Sequence, residues 1–241
     1  MDAVALNMSA LEDDKECALS FATSNKGLRC RISLECLSKL QKWSRVPVAK
    51  QAALQTVLCA LIARRLLEER DVEPDHLSLI AVGETSHIPT AHEFAVNARE
   101  NGLSLVRPVQ FAHILPSACA ATVANVLECH GPSFSYGARS NAVLQAFEAA
   151  VLLLESGLSE TCIVVCAQSQ HWHDVNPDMA CEFPTTSGAI AFWLDRANLG
   201  DFVNTDLQKH VLDLPNLCNF DQAVCIWRHF NDQLVKRPNS L

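Results

Sequence analysis

Hydrophobic positions along this chain follow two rhythms. From about Val48 to Arg70, VAKQAALQTVLCALIARRLLEER repeats apolar residues at helical spacing and closes in charged residues, which predicts a helix with a solvated last turn. Three other runs, LSLIAVG from Leu77, TCIVVCAQ from Thr161 and SGAIAFWLD from Ser187, are short and almost wholly apolar, and read as strands buried on both faces. SFSYGA from Ser133 reads as a further strand, and DAVALNMSA near the start as another. TAHEFAVNARENG predicts a helix begun at Thr90 and stopped at Gly102. RPVQFAHILPSACAATVANVLECHG predicts an irregular approach and then an alanine-rich helix from about Pro116 to Cys129, where the proline suits a first turn. Asn141 to Ser156 predicts a helix with Gly157 at the left-handed position after it. QHWHDVNPDMACEFPTT reads as a loop, and after Asp195 the pattern weakens, leaving 196–241 as a tail without assigned elements.

Strands alternating with helices imply a mostly parallel sheet covered on both faces and joined by right-handed crossovers. With no internal repeat and no low-complexity linker, residues 1–241 are read as a single domain. The Asn141–Ser156 helix is apolar almost all the way round, so it belongs in the middle of the arrangement. One three-layer domain seldom encloses a helix so completely; a second half-domain or another chain is expected to cover it.

Composition narrows the function classes. Of 241 residues 49% are hydrophobic, which is rich for a soluble monomer and suggests apolar surface turned to a partner. A net charge of −8 with no polybasic cluster argues against nucleic acid as the main ligand. No apolar run is long enough to span a membrane, and MDAVALNMSALEDDKE lacks the basic start and apolar core of a signal peptide, so the expected location is cytoplasmic. The 11 cysteines are scattered through apolar runs without a CxxC pair and read as reduced core residues. HWHD at His171, Trp172, His173 and Asp174 has no third nitrogen or sulfur ligand at a recognisable spacing, and His87 and His92 are separated by a proline. No metal and no cofactor are expected.

The corner YGARSNAV presents Ser140 at the start of a helix. Ser140 is read first as a helix cap, its hydroxyl accepting from a backbone N–H two or three residues on. The sharper reading is a nucleophile, with His113, His171 or His173 as base and backbone N–H groups as an oxyanion hole. Arg139 cannot shed its charge, so at a buried corner it needs a carboxylate, a phosphate or carbonyl oxygens. Phe111, Ile114, Phe134 and Tyr136 read as core.

From Leu79 to Leu194 the chain resembles the N-terminal half of the β-ketoacyl synthases of the thiolase superfamily. The resemblance is carried, in order, by LIAVGE, RPVQF before PSACAATVANVL, Gly131-Pro132, SFSYGARS, the helix ending at Gly157, CIVVCAQ and FPTTSGAIAFWLD. It implies a thiolase-like three-layer α/β/α fold, N-terminal half only, with a mostly parallel sheet and a buried central helix. In that family a nucleophilic cysteine occupies the corner, and Ser140 stands in its place. The family's C-terminal half, with two histidines and a lysine, has no counterpart here, and neither His210 nor His229 lies in a comparable segment. Condensation by this chain alone is therefore not expected. The chain is similar to short chain-length-factor-type ketosynthase-like subunits, which pair with an active ketosynthase and shape the cavity in which the acyl chain grows. The resemblance thus implies a non-catalytic heterodimer subunit in polyketide or fatty-acid-type biosynthesis, with acyl carrier protein as a further partner. The alternative is an acyltransferase or thioesterase acting on acyl carrier protein through Ser140. By the same resemblance, 133–138 pairs across the family's dimer and 111–115 lines the partner's pocket, which makes Arg139, Phe111, His113, Ile114, Phe134 and Tyr136 pocket or interface candidates.

Overall fold

Leu77–Val82 is the strand on which the fold is organised. Leu77, Leu79 and Ala81 point to one face and Ile80 and Val82 to the other, and all five are at most 2% exposed. A strand buried on both faces must sit inside a covered sheet. The computed structural model describes residues 20–24, 27–32, 54–68, 70–83, 88–105, 108–137, 141–168, 187–197, 199, 222–223 and 225–226. The strand expected within 2–10 lies outside them.

In chain order the strands are β1 (Ser20–Ser24), β2 (Gly27–Ile32), β3 (Leu77–Val82), β4 (Ser133–Tyr136), β5 (Thr161–Gln168) and β6 (Ser187–Asp195), in one sheet ordered β1-β2-β6-β5-β3-β4. β3 runs parallel to β4 and β5, and β6 antiparallel to β5. The mostly parallel sheet expected from the sequence holds for this four-stranded body. The hairpin β1–β2 extends it through antiparallel pairing of β2 with β6. No strand is expected there from apolar runs, because the signal is an alternation instead, with Leu28, Cys30 and Ile32 between Gly27, Arg29 and Arg31.

The helices are α1 (Leu54–Leu67), α2 (Ile88–Asn101), α3 (Pro108–His113), α4 (Ala118–Val126) and α5 (Ala142–Glu155). α1 and α4 pack together on one face, over Leu77, Leu79, Ala81, Ile163, Val165, Ala189 and Ala191. α5 covers the other, over Ile80, Val82, Cys162, Val164 and Cys166. The result is the three-layer α/β/α arrangement. α2 and α3 form an excursion between β3 and α4, and α3 is a short helix where an irregular approach is expected.

Two chain reversals fix these layers. α5 ends in a Schellman turn: Leu158 N–H donates to Leu153 O at 3.1 Å, Gly157 N–H to Leu154 O at 3.3 Å, and Gly157 has φ +74°. α4 is shorter than expected, running from an N-cap at Ser117 to Val126, because Glu128 turns left-handed at φ +53°. Beyond it the Cys129 thiol donates to Leu77 O at 2.9 Å, and at Gly131 a Cβ would lie 2.2 Å from that same carbonyl. Only glycine lets the chain pass β3 so closely.

The expected burial of the central helix is met on its inner side, where Ala142, Val143, Ala146, Phe147, Ala150 and Leu154 are all at most 3% exposed. Phe147 meets Phe192 of β6 edge to face, centroids 5.0 Å apart. The outward side carries Glu148 and Leu152, and Leu152 is 65% exposed. The C-terminal tail returns to this layer: Ala223 and Ile226 are buried in the α5-side core, with Leu199 packed against it.

Candidate functional site

β3, β4 and β5 are parallel, so their carboxyl ends lie on one side of the sheet, where ligand crevices form in open α/β sheets. β3 and β4 converge there: Gly83 N–H donates to Tyr136 O at 3.0 Å, and a Cβ on Gly137 would lie 3.1 Å from Gly83 O. The described helix beyond the corner begins at Ala142, and its N-cap position is taken by Asn141, which makes no side-chain cap bond. Arg139 and Ser140 lie outside the described residues, as do His87, His171, His173 and Asp174.

β4 is the last strand of the sheet, and among the described residues no strand pairs with its outer edge. Phe134 and Tyr136 are in register with Ile80 and Val82 and so belong to the α5 side. Tyr136 is half-buried against the α5-side core, whereas Phe134 is 43% exposed. Ser133 and Ser135 belong to the other side, where the Ser135 hydroxyl donates to Pro116 O at 2.8 Å. That bond ties the turn between α3 and α4 to the edge strand.

On the α4 side, Phe94 of α2 and Phe111 of α3 meet edge to face, centroids 6.3 Å apart and planes at 60°. Phe111 is nevertheless 55% exposed and Leu115 40%. His113 and Ile114 beside them are half-buried, and Ile114 N–H bonds Phe111 O. The structure therefore divides the expected pocket or interface residues into two groups: Phe111, His113 and Ile114 at the end of α3, and Phe134 and Tyr136 on the opposite face of β4. Ser135 and Leu115 lie within the expected interface segments 133–138 and 111–115 but are not singled out there as site residues. The period-two alternation of SFSY carries the signal for Ser135, since it separates the two serines from the two aromatic residues.

The cysteines behave as core groups. Cys59, Cys119, Cys162 and Cys166 are buried, and these four, Cys129 and Cys225 are free thiols. Burial pushes the Cys162 thiol up, reinforced by nearby Cys129, and a hydrogen bond with Cys119 followed by burial does the same to Cys59. Such thiols stay protonated and unreactive at neutral pH. Among the described residues no group of three or more His, Cys, Asp or Glu side chains could hold a metal ion, and no helix is long and apolar enough to cross a membrane.

A three-layer α/β/α body in which β3, β4 and β5 run parallel and α5 follows β4 is the class, and its fold is thiolase-like. The family model described as beta-ketoacyl synthase, N-terminal domain, matches residues 41–175, and the chain belongs to that family. Among solved structures, the chain is similar to the ishigamide ketosynthase/chain length factor, with TM-score 0.55 and 15% identity over 66% of this chain and 48% of that one. It is also similar to the structure of the ketosynthase ApeO in complex with its chain length factor ApeC from Xenorhabdus doucetiae, with TM-score 0.53 and 14% identity over 73% of this chain and 78% of that one. At such identities the likeness is one of fold. No curated protein matches the sequence.

Proposed function

We propose that this chain is a ketosynthase-like subunit of the chain-length-factor type, which pairs with an active ketosynthase in polyketide or fatty-acid-type biosynthesis in the cytoplasm. The condensation step is left to the partner, and acyl carrier protein delivers the substrate to the pair. The observation that carries this reading is the edge of β4, which no strand pairs with among the described residues, with Phe134 43% exposed on one side and Phe111 55% and Leu115 40% exposed on the other. An unpaired edge strand flanked by large apolar side chains is a hazard to a lone protein, and natural sheets blunt such edges unless another chain pairs there. Family membership and the likeness to a chain in a ketosynthase–chain length factor complex support a partner of ketosynthase type. Ser140 supports the division of labour, because an alcohol, unlike a thiol at a helix N-terminus, needs a positioned base to become a nucleophile.

The test is to mix the purified chain with a condensing ketosynthase encoded in its own gene neighbourhood and to weigh the assembly by native mass spectrometry. A 1:1 complex is expected. Phe134→Asp should weaken it at least ~10-fold, as for loss of an interface anchor. Ser140→Ala should leave it intact. A chain that stays monomeric with every such ketosynthase would refute the proposal.

A further inference from the structure

The α5 side of the sheet is wider than α5. That helix packs against β3, β4 and β5, yet β6 presents Ile190, Phe192 and Leu194 to the same face, each at most 1% exposed. Phe147 reaches Phe192 from α5. The other side chains of that core that come from beyond β6 belong to the tail: Ala223 at 0% and Ile226 at 2% exposure, with Leu199 half-buried against it. Gln222, beside Ala223, is buried as well. Ala223 and Ile226 are three residues apart, the spacing that puts two side chains on one face of a helix, and both are helical, as are Gln222 and Cys225. The family match covers residues 41–175, and both β6 and this cover lie beyond it.

We infer that Gln222, Ala223, Cys225 and Ile226 belong to a cover built into this chain for the β6 side of the α5 layer, which shields in cis a face that would otherwise require another domain or subunit. The consequence for assembly is a division of surfaces: the β6 side is sealed by the chain itself, and β4, at the far edge of the sheet, is left for contact with another chain. The second half of that statement rests on the reading under Proposed function; the first half does not.

The experiment reads the cover alone, in the full-length chain without any ketosynthase, so its result stands whichever way the pairing experiment falls. Ile226→Ala removes buried apolar volume and is expected to lower the melting temperature by about 5–15 °C. Hydrogen exchange should rise first in residues 187–195 of β6, with α1 on the opposite face protected as before. Ala223→Asp, which places a carboxylate in the same core, should cause a larger loss in the same region. Because the cover is in cis, wild type and Ile226→Ala should show the same dependence of melting temperature on protein concentration over a roughly 100-fold range, whatever contact β4 makes. An Ile226→Ala protein that melts within about 2 °C of wild type with unchanged β6 protection would overturn the inference. A concentration dependence of the melting temperature that Ile226→Ala abolishes would overturn it too, since the cover would then come from a second copy. If Ala223→Asp does not fold, the Ile226→Ala melt and exchange map still decide the matter.

Discussion

At Gly131 a single hydrogen atom decides whether β4 can form. The residue passes so near to Leu77 O that a methyl group would sit 2.2 Å from it, against a backbone atom that cannot swing aside. The carbonyl is held in turn by the Cys129 thiol at 2.9 Å and belongs to the first residue of β3. Gly131→Ala should therefore cost more than the ordinary effect of replacing a glycine, about 3 kcal/mol or above, by forcing a shift in β3 or in the approach to β4. A urea titration of the variant beside wild type measures it, and a midpoint shift below the equivalent of about 1 kcal/mol would contradict the argument. The dipeptide Gly131-Pro132 is legible in the sequence as part of a resemblance, but its cause is not, because the obstructing carbonyl lies far away along the chain. The same holds for the site candidates. Phe134 and Tyr136 stand two apart in the sequence and share a face, yet it takes the pairing of β4 with β3 on one side, with no described strand on the other, to leave Phe134 exposed and Tyr136 half-buried.

The elements were legible where their ends carry a chemical mark. α5 closes at Gly157, with the two reversed hydrogen bonds that a left-handed glycine permits, and its end was placed correctly from the glycine alone. α4 has no such mark. Its left-handed residue is Glu128 at φ +53°, so nothing in VANVLECHG announces a stop, and the helix reads on to Cys129. A side chain at that φ carries a steric penalty of about 1–2 kcal/mol that glycine avoids. Glycine also leaves the unfolded chain freer, which offsets part of the gain. The net expectation for Glu128→Gly is stabilisation of roughly 0.5–1 kcal/mol, read as a melting temperature raised by about 1–4 °C. A lower melting temperature would mean that the Glu128 side chain contributes something that the backbone argument omits. The hairpin β1–β2 was missed for a different reason: its strands alternate where the interior strands are continuous, and a search for apolar runs passes over an edge hairpin.

For the whole molecule, the alternation of strand and helix between 77 and 168 was enough to foresee layered α/β architecture, since buried parallel strands and their crossovers leave few other ways to cover apolar faces. The return of the tail to β6 was not foreseeable, because two buried residues in a weakly patterned segment give no periodicity to read. The cysteines were legible as a class, as small reduced core groups, and their burial has a consequence for the intact fold. Cys162 and Cys59 have thiols pushed above the usual range in the folded chain, whereas in the unfolded chain they ionise near pH 8.5. Below that pH both states hold the protons and the thiols add no pH dependence. As pH climbs past it the unfolded state releases protons that the folded state keeps, so unfolding is favoured and stability falls. The melting temperature should thus decline between about pH 8.5 and 10.5, and Cys162→Ala should decline less steeply over that interval, whatever its own stability at neutral pH. Differential scanning calorimetry of the two proteins across the pH series measures the difference in slope. Identical slopes would mean that Cys162 ionises as readily inside the fold as outside it, which its place on β5 in the buried core beneath α5 forbids.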